Sequence, residues 1–225
     1  MYRKSGYIML SVAAGALLAG VIDAVVRPGY LVKSLLKLTF FFLLPMAFFL
    51  RRREESEAFR ALFLFQKKGL LRSLALGIGV YGVILAGYFL TRNFIDFSHV
   101  TTDLTQGMGI TAGNFVYVSL YISFVNSFLE EFFFRGYGFL VLKRHTGRGA
   151  AYLFSAVAFA LYHVGMLMGM FSVWVWLLML AGLVIGGGIF DWLDEKSGSV
   201  YSSWFVHMFA NFAINTVGFI LFGVL

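Results

Sequence analysis

Long apolar stretches alternate with short polar or basic connections along the whole chain. Seven such stretches can be drawn, at 7–26, 30–50, 70–90, 114–142, 150–168, 173–190 and 200–223. Each is near the ~20 residues that a helix needs to cross ~30 Å of hydrocarbon. The fourth is longer and is expected to tilt. The pattern predicts an all-α fold: a polytopic membrane helix bundle with about seven transmembrane helices. Two parts are expected. Residues 1–112 would hold three membrane helices, a cytoplasmic segment at 51–68 that reads as a short interfacial helix or a solvated charged loop, and a polar outer loop at 91–113. Residues 113–225 would form a core of four helices.

Composition fixes the class. The chain is 60% hydrophobic and only 13% charged, against about half and a quarter in soluble domains. It is an integral membrane protein. Cysteine is absent, which removes disulfides, thiolate metal ligands and a cysteine nucleophile.

The net charge of +7 sits mainly in the connections. It is read as a topology signal and as contact with anionic lipid, and nucleic acid is excluded as a partner. Arg51, Arg52, Arg53, Arg60, Lys67, Lys68 and Arg72 mark one cytoplasmic connection, and Lys143, Arg144 and Arg148 mark another. The amino terminus is then inside and the carboxyl terminus outside. Arg3 and Lys4 precede a first stretch without an A-x-A-like cleavage site, so a retained helix is expected. Arg27, Lys33 and Lys37 break the rule by lying on the outer side.

The fourth stretch carries the chemistry, in Phe128-Leu129-Glu130-Glu131-Phe132-Phe133-Phe134-Arg135-Gly136. Ionised side chains in a bilayer are costly, so they face a bundle interior and work with a partner. Glu131 and Arg135 are i and i+4 and can pair on one helix face. Glu130 points about 100° away and is left without that arginine, as suits a general base. Asn126 lies one turn before Glu130.

Three more polar groups interrupt apolar helices: His163 in the fifth stretch, and His207 and Asn211 at i and i+4 in the seventh. Glu130 lies 13 residues from Lys143, His163 lies 14 from Gly149, and Asn211 and His207 lie 11 and 7 from Val200. At 1.5 Å per residue these are depths of roughly 10 to 21 Å, so the four can meet in one cavity. Such a set suits peptide hydrolysis. A glutamate with a neutral histidine activates water, while a second histidine and an asparagine donate to the oxyanion. Ser123 and Ser127 show no triad pattern.

Glu130, His163 and His207 are also the three ligands that a catalytic zinc would need, although no H-E-x-x-H pair is present. Two other classes use the same features. One is a catalytically idle interaction or bacteriocin-immunity protein, and the other is a proton-coupled transporter with a Glu/His relay. Against transport stands the lack of a paired inverted half with a matching broken helix.

Glu130-Glu131-x-x-x-Arg135, Phe159-x-x-x-His163 and His207-x-x-x-Asn211 occur here in the order and helical setting of the CPBP family. The chain therefore resembles the CAAX prenyl endopeptidases and the bacteriocin-processing and abortive-infection-type membrane proteins. The resemblance covers about 114–223 and leaves out the first three stretches. It implies an intramembrane endopeptidase, of a prokaryotic plasma membrane, that cuts a membrane-tethered protein or peptide near its carboxyl terminus. It also implies roles: Glu130 and His163 on water, His207 and Asn211 on the oxyanion, and Glu131 with Arg135 in the architecture. Family members are often labelled metalloproteases, and the expectation here is a glutamate-driven, cofactor-free reaction.

The remaining features receive bland assignments. Asp23, Asp191, Asp194 and Glu195 are expected at the interface or in solvent, His99 and His145 lie in loops without a role, and Trp174, Trp176, Trp192 and Trp204 sit near the ends of stretches. Gly165-x-x-x-Gly169 and Gly182-x-x-x-Gly186 predict close helix contacts.

Overall fold

The computed structural model describes residues 2–26, 28–167 and 171–225, with the side chains of Tyr2, Arg3 and Lys68 left aside. Arg27, Met168 and Gly169, which carried expectations, lie outside the described residues. Everything regular among these residues is helical. The elements are α1 (Lys4–Val26), α2 (Tyr30–Arg51), α3 (Ser56–Ala61), α4 (Gly69–Thr91), α5 (Ser98–Met108), α6 (115–141), α7 (Arg148–Leu167), α8 (Val173–Ser197) and α9 (Tyr201–Leu221).

Six of these helices, α1, α2, α4, α7, α8 and α9, are long and apolar enough to cross a membrane. The seventh expected span is α6, whose three buried charges set it apart from the other six. It stays helical through them, with wide π-type turns at Tyr121–Asn126 and Glu131–Val141. Such turns are rare and recur at functional sites, because they re-aim side chains within a helix.

α6 is the most deeply buried helix, and aromatic packing explains how. Phe41 of α2 stacks flat on Phe133 with centroids 4.3 Å apart, and meets Phe134 and Tyr162 edge-on at 5.4 and 5.2 Å. Phe48 and Phe49 close around Tyr137, whose hydroxyl bonds Ser11 of α1 at 2.9 Å. Offset and edge-to-face pairs of this kind add to the area that they bury. α1 and α2 thus wrap α6 on one side, α7 and α8 cover another, and α9 packs against α4, α6 and α8.

The basic ends of the helices gather at one end of the bundle. There Glu55, which is buried, takes Lys4 at 2.8 Å and His145 at 3.0 Å, with Arg144 at 3.7 Å. His145, given no role from sequence, is one of its partners. Burial pushes the Glu55 carboxyl up, but Lys4, His145 and Arg144 outweigh this and hold it below its ordinary value. The segment around α3 is docked onto the bundle, with Ala58 and Leu62 buried and the Val200 amide donating to the Leu62 carbonyl at 3.0 Å.

Several expectations are corrected. The 91–113 connection contains the 11-residue helix α5. Gly182 and Gly186 have open space where a side chain would go, so they make no close contact. The close approaches fall at Gly165, whose missing Cβ would strike the Gly20 carbonyl, and at Gly187, where it would lie 3.0 Å from the Ala156 backbone. α8 runs on to Ser197, so Asp191 and Asp194 are in a helix and fully buried. Glu195 bonds Lys143, Arg148 and Tyr152. Asp23 pairs with Lys33 at 2.9 Å, and both side chains are buried.

Candidate active site

α6 sends its two adjacent glutamates into different surroundings. One oxygen of Glu130, Oε1, accepts from Asn126 Nδ2 at 2.8 Å, from the Tyr162 hydroxyl at 3.2 Å and from Lys37 Nζ at 3.3 Å. Lys37 Nζ also donates to Asn126 Oδ1 at 2.7 Å. The other oxygen, Oε2, has no hydrogen bond among the described residues. It faces His163 Nε2 at 3.9 Å and His207 Nε2 at 3.8 Å. Those separations exceed direct hydrogen bonds and suit a bridging water.

Both imidazoles are held by their far nitrogens. His163 Nδ1 lies 2.8 Å from the Phe159 carbonyl, one turn back on α7. A carbonyl only accepts, so Nδ1 carries the hydrogen, and the neutral ring turns a lone pair on Nε2 toward Glu130. His163 sits at a one-residue break in the regular turns of α7, its amide donating to the Ala160 carbonyl. His207 Nδ1 lies 2.7 Å from Glu131 Oε1, and since a carboxylate accepts, this nitrogen also carries a hydrogen.

Glu131 is completely buried, and its second oxygen lies 3.4 Å from Arg135 Nε. The i, i+4 pair expected from sequence is therefore formed. Arg135 also lies 3.8 Å from Asp191 Oδ1, and its guanidinium carbon sits 3.9 Å above the Phe159 ring and 5.0 Å from Phe190. Its nitrogens make no hydrogen bond among the described residues, so charge and ring faces compensate it. Ser155 bonds Asp191 at 2.8 Å, and Asp194 takes the Ser203 amide and hydroxyl at 2.9 and 2.8 Å.

Asn211 is buried one turn beyond His207, and its amide donates to the Ile122 carbonyl at 3.2 Å. The described contacts do not join it to Glu130, and one of its amide hydrogens remains unused. Ser127 donates to the Ser123 carbonyl and accepts from Trp204, while Ser123 accepts from Asn215. Neither serine contacts a histidine.

Glu130, His163 and His207 converge, yet they fit a divalent cation poorly. The Lys37 ammonium already occupies the carboxylate as a cation, and no trio of His, Asp or Glu among the described residues is spaced as a metal cage. No step is assigned to a metal.

Sequence inspection missed Lys37, Tyr162, Asp191 and Asp194. Lys37 did leave a signal: a lysine inside an apolar stretch, on the wrong side for the topology rule, calls for a buried partner. Asp191 and Asp194 were hidden by ending the sixth stretch at 190, seven residues before the helix ends.

Helices of this length around a buried carboxylate–imidazole cluster define a polytopic membrane protein with the groups of a hydrolase. Residues 112–213 match the family described as type II CAAX prenyl endopeptidase Rce1-like, which bears out over that region the resemblance read from the motifs. The match supports a peptidase embedded in the membrane. No curated protein and no solved structure matches the chain.

Proposed function

We propose that the protein is an intramembrane endopeptidase that hydrolyses a peptide bond of a membrane-tethered protein or peptide near its carboxyl terminus, with water as the nucleophile. One observation carries this reading: Glu130 Oε2 and the Nε2 atoms of His163 and His207 face one small space, at 3.9 and 3.8 Å.

Water held there attacks the scissile carbonyl carbon and gives a proton to Glu130 Oε2, with His163 Nε2 as the second acceptor. The carbon–oxygen bond forms and negative charge moves to the carbonyl oxygen. As the imidazolium, His207 donates through both nitrogens, Nδ1 to Glu131 and Nε2 to that oxyanion, and the unused Asn211 amide hydrogen is the second donor. Collapse breaks the carbon–nitrogen bond. The leaving amine takes the proton stored on Glu130, which yields a new carboxyl and a new amino terminus. Glu131 and Arg135 hold His207 in place, and the reading needs no cofactor.

The basic end of the bundle is placed in the cytoplasm, which puts the amino terminus inside and the carboxyl terminus outside a prokaryotic plasma membrane. The substrate is a membrane-anchored chain. Membranes of cells carrying the wild type or Glu130→Gln are compared by profiling carboxyl-terminal peptides. Truncated membrane proteins present only with the wild type are expected. Identical profiles, with both proteins folded, contradict the reading.

A further inference from the structure

We propose that Lys37, from the second helix and outside the family-matched region, is a positioning residue that fixes the plane of the Glu130 carboxylate, so that one oxygen stays undonated and aimed at the two imidazoles. The inference rests on the hydrolytic reading above.

Lys37 is buried in the middle of an apolar helix, where an ammonium is costly without a partner. The partner is not the nearest acid on the neighbouring helix, because Asp23 is taken by Lys33, one turn earlier, at 2.9 Å. Lys37 instead crosses to α6, donating to Asn126 Oδ1 at 2.7 Å and to Glu130 Oε1 at 3.3 Å. Its charge also lies 5.0 Å from the Tyr162 ring centroid.

The effect on Glu130 is asymmetric. Asn126, Tyr162 and Lys37 all converge on Oε1. Oε2 takes none of them and is the oxygen turned to the two imidazoles. A carboxylate on a flexible side chain can turn its plane about the last bond, where the torsional preference is broad, and so swing its lone pairs away from the imidazoles. Three donors on one oxygen remove that freedom. Lys37 fixes two members of the set at once, because the same ammonium orients Asn126 so that its amide nitrogen meets Glu130. The fourth, fifth and seventh stretches then supply the reacting groups, and the second supplies the clamp.

The test uses the full-length protein in lipid vesicles and, as probe, a membrane-anchored peptide whose cleavage Glu130→Gln abolishes. Lys37→Met is expected to lower kcat by about 10- to 100-fold with KM within about twofold, as misplacement of a reacting group does. Lys37→Arg, which restores a cation with donors, is expected to recover kcat to within about tenfold of the wild type. A purely structural lysine would leave kcat per folded molecule unchanged once melting temperature is matched.

The proposal is overturned if Lys37→Met retains wild-type kcat. It is overturned equally if the loss lies wholly in KM, or if Lys37→Arg turns over no faster than Lys37→Met. A wild type that cleaves no more than Glu130→Gln, in vesicles and in cells, instead overturns the hydrolytic reading and the clamp with it. Failure of the two ideas is thereby distinguishable.

Discussion

Glu130 and Glu131 are chain neighbours on one helix, yet they occupy opposite kinds of pocket. Around Glu131 the ligands are balanced on both oxygens: His207 on one, Arg135 on the other, with the guanidinium packed near the Phe159 and Phe190 rings. Around Glu130 three donors crowd one oxygen, and the other is left to two imidazole nitrogens at a water's distance. On the proposed reading the first arrangement suits a structural acid and the second suits a base. Identical side chains meet different surroundings because the helix rotation of about 100° per residue points them at different partners.

The contrast can be broken most severely at its reactive member. Glu130→Gln keeps the shape and the bonds on one side but removes the proton acceptor. Cleavage per folded molecule is expected to fall by about a thousandfold or more, with a lower unfolding temperature because the buried Lys37 ammonium loses its counter-charge. His207→Phe should follow, with a loss near a hundredfold in kcat, since it removes an oxyanion donor while keeping aromatic bulk. Kinetics on purified protein in vesicles measure both.

At the structural member the loss should appear first as instability. Arg135→Leu strands Glu131 and Asp191 without their cation, and removing one partner of a buried ion pair costs about 3–5 kcal/mol. Chemical unfolding in mixed micelles would show this, and activity would fall with the folded fraction. Arg135→Lys should recover little, because a compact ammonium lacks the planar guanidinium that reaches Glu131 and Asp191 while packing on the Phe159 ring.

The smallest expected effect concerns the basic end of the bundle, where Glu55 ties α1 to the α6–α7 connection. Its carboxyl lies below the ordinary value in the folded protein, held there by Lys4, His145 and Arg144 against the cost of burial. A depressed folded value gives stability that is present above the unfolded pKa and is lost as pH falls through the folded one. Glu55→Gln should therefore lower stability by about 1–3 kcal/mol at neutral pH. It should also flatten the acid side of a stability–pH curve between the two values. An unchanged acid limb would mean that these contacts contribute nothing.

Much of this was legible in the sequence. Lengths and composition were enough for the helices, because a bilayer admits few alternatives to long apolar helices. Glu130, His163 and His207 were found together because polar groups at matched depths in separate spans have to share one interior. The i, i+4 spacing was enough for Glu131 and Arg135. Lys37 was misjudged because it was weighed only against the charge rule of the connections, while its meaning lies in a partner 93 residues away. Asp23, Asp191 and Asp194 look interfacial or solvated from sequence for a related reason. An acid near the end of an apolar run looks solvated until the helix is known to continue and a serine or lysine is known to face it. The outer connection reads as a loop because its Thr- and Gly-rich sequence carries little apolar periodicity, and α5 forms there all the same.

The central claim is that the two adjacent glutamates are not interchangeable, and Glu130→Gln and Glu131→Gln on one membrane-anchored peptide test it most directly. Glu131→Gln keeps an acceptor for His207, so measurable turnover is predicted for it, while Glu130→Gln should be silent. Equal turnover by the two folded variants, or the greater loss at Glu131, would contradict the account.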